Sequence, residues 1–432
     1  MKRGVVFAVV FLVMAFGGLA LRGSHAVPKI AAAHESSGPP APPPSYETTK
    51  TELAKQKKLA EVLADAAPGS WSRRAKAAGI ELSYAQLTGD YDTYAQADDS
   101  LKKAFAAARV SIDDESLGPN LLKAQMDYEL HRNGAALDAL RFVDDPALDP
   151  EVTSLRGAIR FQLGDYEEGI ALLRQSVAMD PSPGHAQRLA IALAKVGGED
   201  EARAIFDETE KKASSPRGLA WLAWQRGKIA LERGRRDEAR RQMGRALVYF
   251  PGFWQVEEQL AELDAEEGRT DAAIASYRAL VAKTGDPEFM DALAELVPAE
   301  REALEARSNA IYADRLVKLP EASYGHALEH FLKMVPDAAR AVEIAEKNVA
   351  LRPNGEARTR LAQAYLRVGR LEDARAAILG ATESAWVSAE SYATAVVILR
   401  ALGDDGADAM QKRALARNPH AMDEIAWLTT RS

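Results

Sequence analysis

A glycine returns along this chain at nearly constant intervals, each time between two segments with helical apolar periodicity. Taken as turn markers, Gly134 and Gly164 are 30 residues apart, Gly164 and Gly197 33, Gly197 and Gly234 37, and Gly234 and Gly268 34. Pro336 marks the next turn 68 residues on, twice 34, and the intervals then run 33 to Gly369 and 34 to Gly403. Gly89 precedes the series by 45 residues, because a long helix over Asp92–Arg109 and a loop over Val110–Gly118 intervene. Self-similarity at such a period is the signature of stacked helix–turn–helix units, each burying its apolar face only against its neighbours. The chain is therefore expected to be all-α, a solenoid of about nine to ten helix pairs over residues 50–432. A degenerate unit is expected near 287–318, with helices Pro287–Val297 and Ala299–Lys318 on either side of Pro298.

The best-preserved unit is Gly218–Pro251, in which Leu219–Glu232 and Arg236–Tyr249 flank the turn at Gly234. Gly227 lies inside the first of these segments, where glycine costs about 1 kcal/mol relative to alanine. Close approach of another backbone explains such a residue, and the small Ala239 and Ala246 share one face of the second segment. The two helices are expected to pack at close range through Gly227 and Ala239. Pro251 cannot sit in a helix interior, so it ends the unit.

The amino terminus is of a different kind. Lys2 and Arg3 precede the uncharged run Gly4–Leu21, and Ser24-His25-Ala26 supplies small residues where a signal peptidase reads. At about 27 Å of helix the run is also just long enough to span a thin bilayer. Residues 1–26 thus read as a cleaved signal peptide or a retained membrane anchor, and the remainder as exported: periplasmic, membrane-anchored or secreted. Residues 27–49 contain the proline-rich run Gly38–Ser45 and read as a disordered, semi-rigid tether. Thr51–Ala66 is an amphipathic helix suited to capping the array, followed by a second helix over Ser72–Leu87. The net charge of -8 argues against non-specific nucleic-acid binding, and the absence of cysteine excludes disulfides and thiolate metal sites.

Side chains repeat with the turns. Around Gly164 stand Gly157, Ile170, Leu173 and Asp180-Pro181; around Gly197, Leu189, Ala190, Leu193, Ala202 and Phe206. Around Gly268 are Leu260, Ala261, Ala273, Tyr277 and Leu280; around Gly369, Leu361, Ala362, Tyr365, Ala374 and Ile378. The last unit keeps Ala395, Ala407, Ala414 and Asn418-Pro419. This order resembles the tetratricopeptide repeat over about Ser72–Ser432, and the layout resembles exported bacterial proteins of that family. The long helix after Gly89, the short unit before Gly164 and the missing tryptophan near most repeat starts depart from the family pattern. The resemblance implies a right-handed superhelix whose first helices line a concave groove for a protein or peptide segment. It implies that Trp221, Trp224, Lys228, Leu231 and Glu232 face the groove, followed in the next unit by Gln255, Glu258, Glu262, Ala265 and Glu266. Trp221 and Trp224 would anchor a partly apolar, partly basic segment beside an acidic wall, the other reading being ordinary core.

Catalytic patterns are scarce. His326, Glu329 and His330 satisfy H-x-x-E-H, a zinc-peptidase pattern, and support an alternative reading as a zinc-dependent hydrolase. At 100° per residue, Tyr324, Ala327, Leu328, Phe331, Leu332 and Val335 share one arc, while His326, Glu329, His330 and Lys333 share the opposite one. That places both imidazoles on a solvated helix face with Lys333 beside them, so neither a metal nor a catalytic residue is assigned. Arg233, Arg235, Arg236, Arg240 and Arg241 surround Gly234 with Glu232, Asp237 and Glu238 interleaved, as expected of exposed ion pairing. The sequence reads as a non-enzymatic interaction scaffold without a cofactor, the third alternative being a self-assembling structural array.

Overall fold

The computed structural model of the chain describes residues 44–111, 118–213, 215–335 and 337–429. The signal segment 1–26, most of the tether, the turn marker Pro336 and the centre of the loop after Arg109 lie outside the described residues. No helix among the described residues is long and apolar enough to cross a membrane.

A leading helix, α1 (Tyr46–Asp65), is followed by ten helix hairpins. They are α2 (Trp71–Thr88) with α3 (Tyr91–Ser111), α4 (Asn120–Glu129) with α5 (Asn133–Leu140), and α6 (Asp149–Gln162) with α7 (Tyr166–Met179). Then come α8 (Pro183–Lys195) with α9 (Glu199–Lys212), α10 (Pro216–Glu232) with α11 (Arg236–Tyr249), and α12 (Trp254–Glu266) with α13 (Thr270–Thr284). The degenerate region forms α14 (Pro287–Leu296) and α15 (Arg301–Lys318), joined by one 3₁₀ turn at Pro298–Glu300. The rest are α16 (Pro320–Lys333) with α17 (Ala338–Leu351), α18 (Gly355–Arg367) with α19 (Leu371–Thr382), α20 (Ala389–Leu402) with α21 (Ala407–Arg417), and a closing turn, α22 (Ala421–Glu424). The chain is an all-α solenoid.

Local chemistry fixes these boundaries. Ser215, Asp337, Asn354 and Ser388 each accept the third backbone N–H of the helix they precede. Proline opens α8, α10, α14 and α16, where its missing N–H costs nothing. Gly89, Gly164, Gly197, Gly234, Gly268, Gly369 and Gly403 all adopt the left-handed conformation at the hairpin turns. Gly134 does not; it lies within α5, and the left-handed residue of that hairpin is His131, at φ 60°. Measured from His131, the interval to Gly164 is 33 residues, so the short unit disappears. Histidine tolerates positive φ better than most residues, and Arg352 holds this one through Nε2 at 3.4 Å. Within the fifth hairpin, a Cβ on Gly227 would meet Met243 Cγ at 3.1 Å and the Ala239 carbonyl at 3.4 Å. The close helix contact predicted there is present.

Two expectations are corrected by tertiary packing. The leading helix starts at Tyr46, inside the stretch assigned to the tether, because Ser45 and Thr48 form a reciprocal capping box. Its second half packs on the first hairpin as a cap, with Ala60 and Ala64 against Ala77 of α2, but its start reaches elsewhere. Tyr46 is buried beside Phe250 and Phe253, and its N–H donates to the Pro251 carbonyl at 2.9 Å, halfway along the chain.

The second correction concerns the groove. The solenoid coils tightly enough that turns of its first half abut the inter-repeat corners of its second half. A Cβ on Gly89 would lie 3.2 Å from the Trp254 ring and one on Gly164 3.1 Å from the Pro353 carbonyl, and one on Gly234 would run into Asn418 Oδ1. Hydrogen bonds stitch the same seam: Trp254 Nε1 to the Leu87 carbonyl at 2.9 Å, Val387 N–H to the Lys195 carbonyl at 2.9 Å, and Gly355 N–H to the Tyr166 hydroxyl at 2.7 Å. Ion pairs Lys318–Asp92 and Arg417–Glu199 join in, at 2.7 and 2.8 Å. The expected concave groove is a lumen that this seam narrows and leaves open to solvent.

Candidate functional site

Two cavities occupy this lumen, and they adjoin at Lys228 and Gln259, which line both. The inward faces of α10, α12, α14 and α16 form one wall, and the ends of α2 and α3 close over the second cavity.

Of the six proposed groove residues, Trp224, Lys228, Gln255 and Glu258 line the second cavity, and Lys228 and Glu262 line the first. Trp221 lines neither. It is 6% exposed and shares a core cluster with Tyr46, Phe250 and Phe253, because the docking of α1 brings apolar surface against this end of α10. Trp224 packs edge-on against Phe253, and its Nε1 donates to Gln259 Oε1 at 3.0 Å. Its ring face carries the Lys228 ammonium, 4.0 Å from the centroid. Burial, reinforced by Lys195, draws the Lys228 ammonium down to about 7.

Glu258, Glu262 and Glu266 recur every fourth residue of α12, so they form one stripe along the lumen. Burial pushes Glu258 up to about 8, aided by Glu288, Asp286 and Glu329, and pushes Glu262 well above the usual range. Burial also raises Glu266 to about 7 despite Arg236 at 2.9 Å.

The solvated face expected for His326, Glu329 and His330 is overturned. His330 is 1% exposed; its Nδ1 donates to Asp291 Oδ2 at 2.9 Å and its ring lies on Tyr312. His326 pairs with Glu288, and Glu329 with Lys333. For His326, burial alone would lower the pKa, but the facing Glu288 carboxylate outweighs it and raises it. The helical arc placed these side chains away from the inter-helix core correctly, yet closure of the coil made that arc part of the interior. No group of three or more His, Asp or Glu is arranged to hold a metal ion among the described residues. The imidazoles are engaged in carboxylate contacts instead, and the hydrolase reading gains no support. The arginines around Gly234 also bond to carboxylates: Arg233 to Glu199, Arg236 to Glu266, and Arg240 to Asp264 and Glu267.

Sequence reasoning missed the rest of the second cavity's lining. Glu288 and Asp291 hold the second and fifth positions of α14, as Gln255 and Glu258 do in α12, so the repeat register could have found them. Tyr91, Tyr94, Tyr312 and Arg315 also line the second cavity, and no local pattern announces them.

Models of the tetratricopeptide repeat match residues 225–288 and 335–389, and a second such model matches 154–183. No curated protein matches the chain. Among solved structures, TTC0263, a thermophilic TPR protein of Thermus thermophilus, is 25% identical, covering 41% of this chain and 96% of its own at a TM-score of 0.36. The APC/C hetero-tetramer Cut9-Hcn1 is 15% identical, covering 89% and 86%, at 0.40. A human IFIT1 dimer with PPP-AAAA is 15% identical, covering 78% and 90%, at 0.39.

Proposed function

Since this chain contains tetratricopeptide repeats, which serve as protein-interaction scaffolds, we propose that it is a non-enzymatic adaptor that holds a partly basic segment of a partner protein against its inner wall. The observation that carries this reading is the carboxylate stripe of α12 beside the Trp224–Lys228 pair of α10 on the lining of the lumen. Buried carboxylates gain most from a cationic partner that excludes water with them, and aromatic faces supply the apolar share. The test is binding of lysine-containing peptides to the purified chain, with sequence-matched acidic peptides as controls. Selective binding that weakens in a Glu258→Gln, Glu262→Gln double variant is expected; equal binding of both peptide sets sinks the reading.

The proposal includes an address. The charge order of Met1–Leu21 and the small residues before Val27 favour export across the inner membrane, with the array in the envelope. Protease added to intact spheroplasts is expected to degrade the array, and amino-terminal sequencing separates a cleaved leader from an anchor. Full protection from protease rules out export.

A further inference from the structure

The second cavity has features that a generic peptide-binding wall does not need. Its lining holds six carboxylates, from Glu129, Glu258, Asp286, Glu288, Asp291 and Glu329, against three Lys or Arg cations, Lys228, Arg315 and Lys333. Most of these charges are already spent on one another. Arg315 pairs with Asp286 at 3.0 Å, Lys333 with Glu329, His326 with Glu288, and His330 with Asp291. Glu258 is not used in this way. Its surroundings are Glu288 and Asp286 from the α14 end, Glu329 from α16, Glu262 on its own helix, and Lys228 from α10, whose attraction is outweighed.

Two further polar atoms on the lining of this cavity have no partner. The Nδ1 of His330 is engaged with Asp291, and its Nε2 is buried without a hydrogen-bond partner. The Tyr94 hydroxyl, on a residue 5% exposed, is likewise unpartnered. Leaving a buried polar atom unmet costs about 1–3 kcal/mol, and both residues line this cavity from different elements. Tyr91, Trp224, Trp254 and Tyr312 add aromatic surface around the same space. An aromatic enclosure with carboxylate and imidazole acceptors suits a compact organic cation rather than a bare metal ion, which would need three or more converging ligands.

We propose that this cavity is a receptor for a protonated alkylamine, with Glu258 as its charge partner and His330 Nε2 and the Tyr94 hydroxyl as its hydrogen-bond acceptors. The amine comes either from a lysine side chain, in which case the site rests on the scaffold reading above, or from a free small molecule. Glu258 must ionise to act. Since burial and the surrounding carboxylates hold it at about 8, binding releases a proton near neutral pH and strengthens as pH rises, while an alkylammonium stays charged to about pH 10.

Calorimetry on the purified full chain tests this with n-butylamine, with a terminally blocked alanine pentapeptide carrying one central lysine, and with its norleucine counterpart. The expected result is saturable n-butylamine binding at pH 9 that weakens roughly tenfold or more at pH 6, with a heat at pH 7.5 that depends on the buffer's ionisation enthalpy. Glu258→Gln, a neutral near-isostere, is expected to lose both the affinity and its pH dependence while keeping the helical circular dichroism of the parent. Binding unchanged in Glu258→Gln overturns the site. A silent amine beside a bound lysine peptide overturns the site and leaves the scaffold reading standing. A bound amine beside a silent peptide upholds the site with a free ligand and overturns the scaffold reading. Silence of both overturns both.

Discussion

Gly157 shows how much a single hydrogen atom decides in this fold. A Cβ there would stand 2.9 Å from the Gly169 carbonyl and 3.0 Å from the Leu173 nitrogen, both backbone atoms of the partner helix. Backbone cannot turn aside as a flexible side chain can, so α6 and α7 would have to separate. Gly157→Ala is expected to destabilise the chain by about 1–3 kcal/mol despite alanine's better helix propensity, read as a lower urea midpoint. Gly227 differs, because the first atoms met, Cγ and Cε of Met243, belong to a flexible side chain. Gly227→Ala is therefore expected to cost less than Gly157→Ala in the same experiment, and the reverse order would refute this account of the two contacts. Both glycines are legible in the sequence as misfits within a helix, but which neighbour each admits is not.

At the scale of one element, α12 turns the sequence pattern into a titration. Glu258 and Glu266, held at about 8 and about 7, keep protons in the folded state that the unfolded chain releases near pH 4.5. Between those values the native state binds more protons, so these two groups make stability fall as pH rises from about 4.5 to 8. Lys228, lowered to about 7, acts in the opposite sense: its cost is full below pH 7 and fades as pH climbs toward the ordinary lysine range. Glu258→Gln is expected to stabilise the chain at pH 8 by an amount on the order of 2 kcal/mol relative to its effect at pH 5. Chemical denaturation at the two pH values checks this, and an equal effect at both would contradict it. The every-fourth-residue spacing of the three glutamates was visible from the start. Their burial was not, since a stripe off the apolar face reads as solvated until something covers it.

For the whole molecule, the decisive event is the meeting of its two halves. Turn glycines at 89, 164 and 234 serve twice, first by taking positive φ and then by admitting a residue of the next coil. Replacing both Gly164 and Gly234 by alanine is expected to loosen the seam while each hairpin persists. Amide exchange at Val387, whose N–H bonds to the Lys195 carbonyl, should then quicken by about tenfold or more, with helical circular dichroism nearly unchanged. Unchanged protection at Val387 would mean that the seam does not depend on these glycines. Helix spacing, the hairpin turns, the caps and the close contact at Gly227 follow from the sequence by itself, because each is set by residues within one or two neighbouring repeats. The His131 turn, the position of α1, the choice of core over groove for Trp221 and the burial of His330 came only with the tertiary structure. A repeat's pattern encodes how it meets the next repeat, but how tightly the coil winds is the sum of many small rotations. That sum brings together residues some 190 positions apart, such as Gly164 and Pro353, and no local spacing records it.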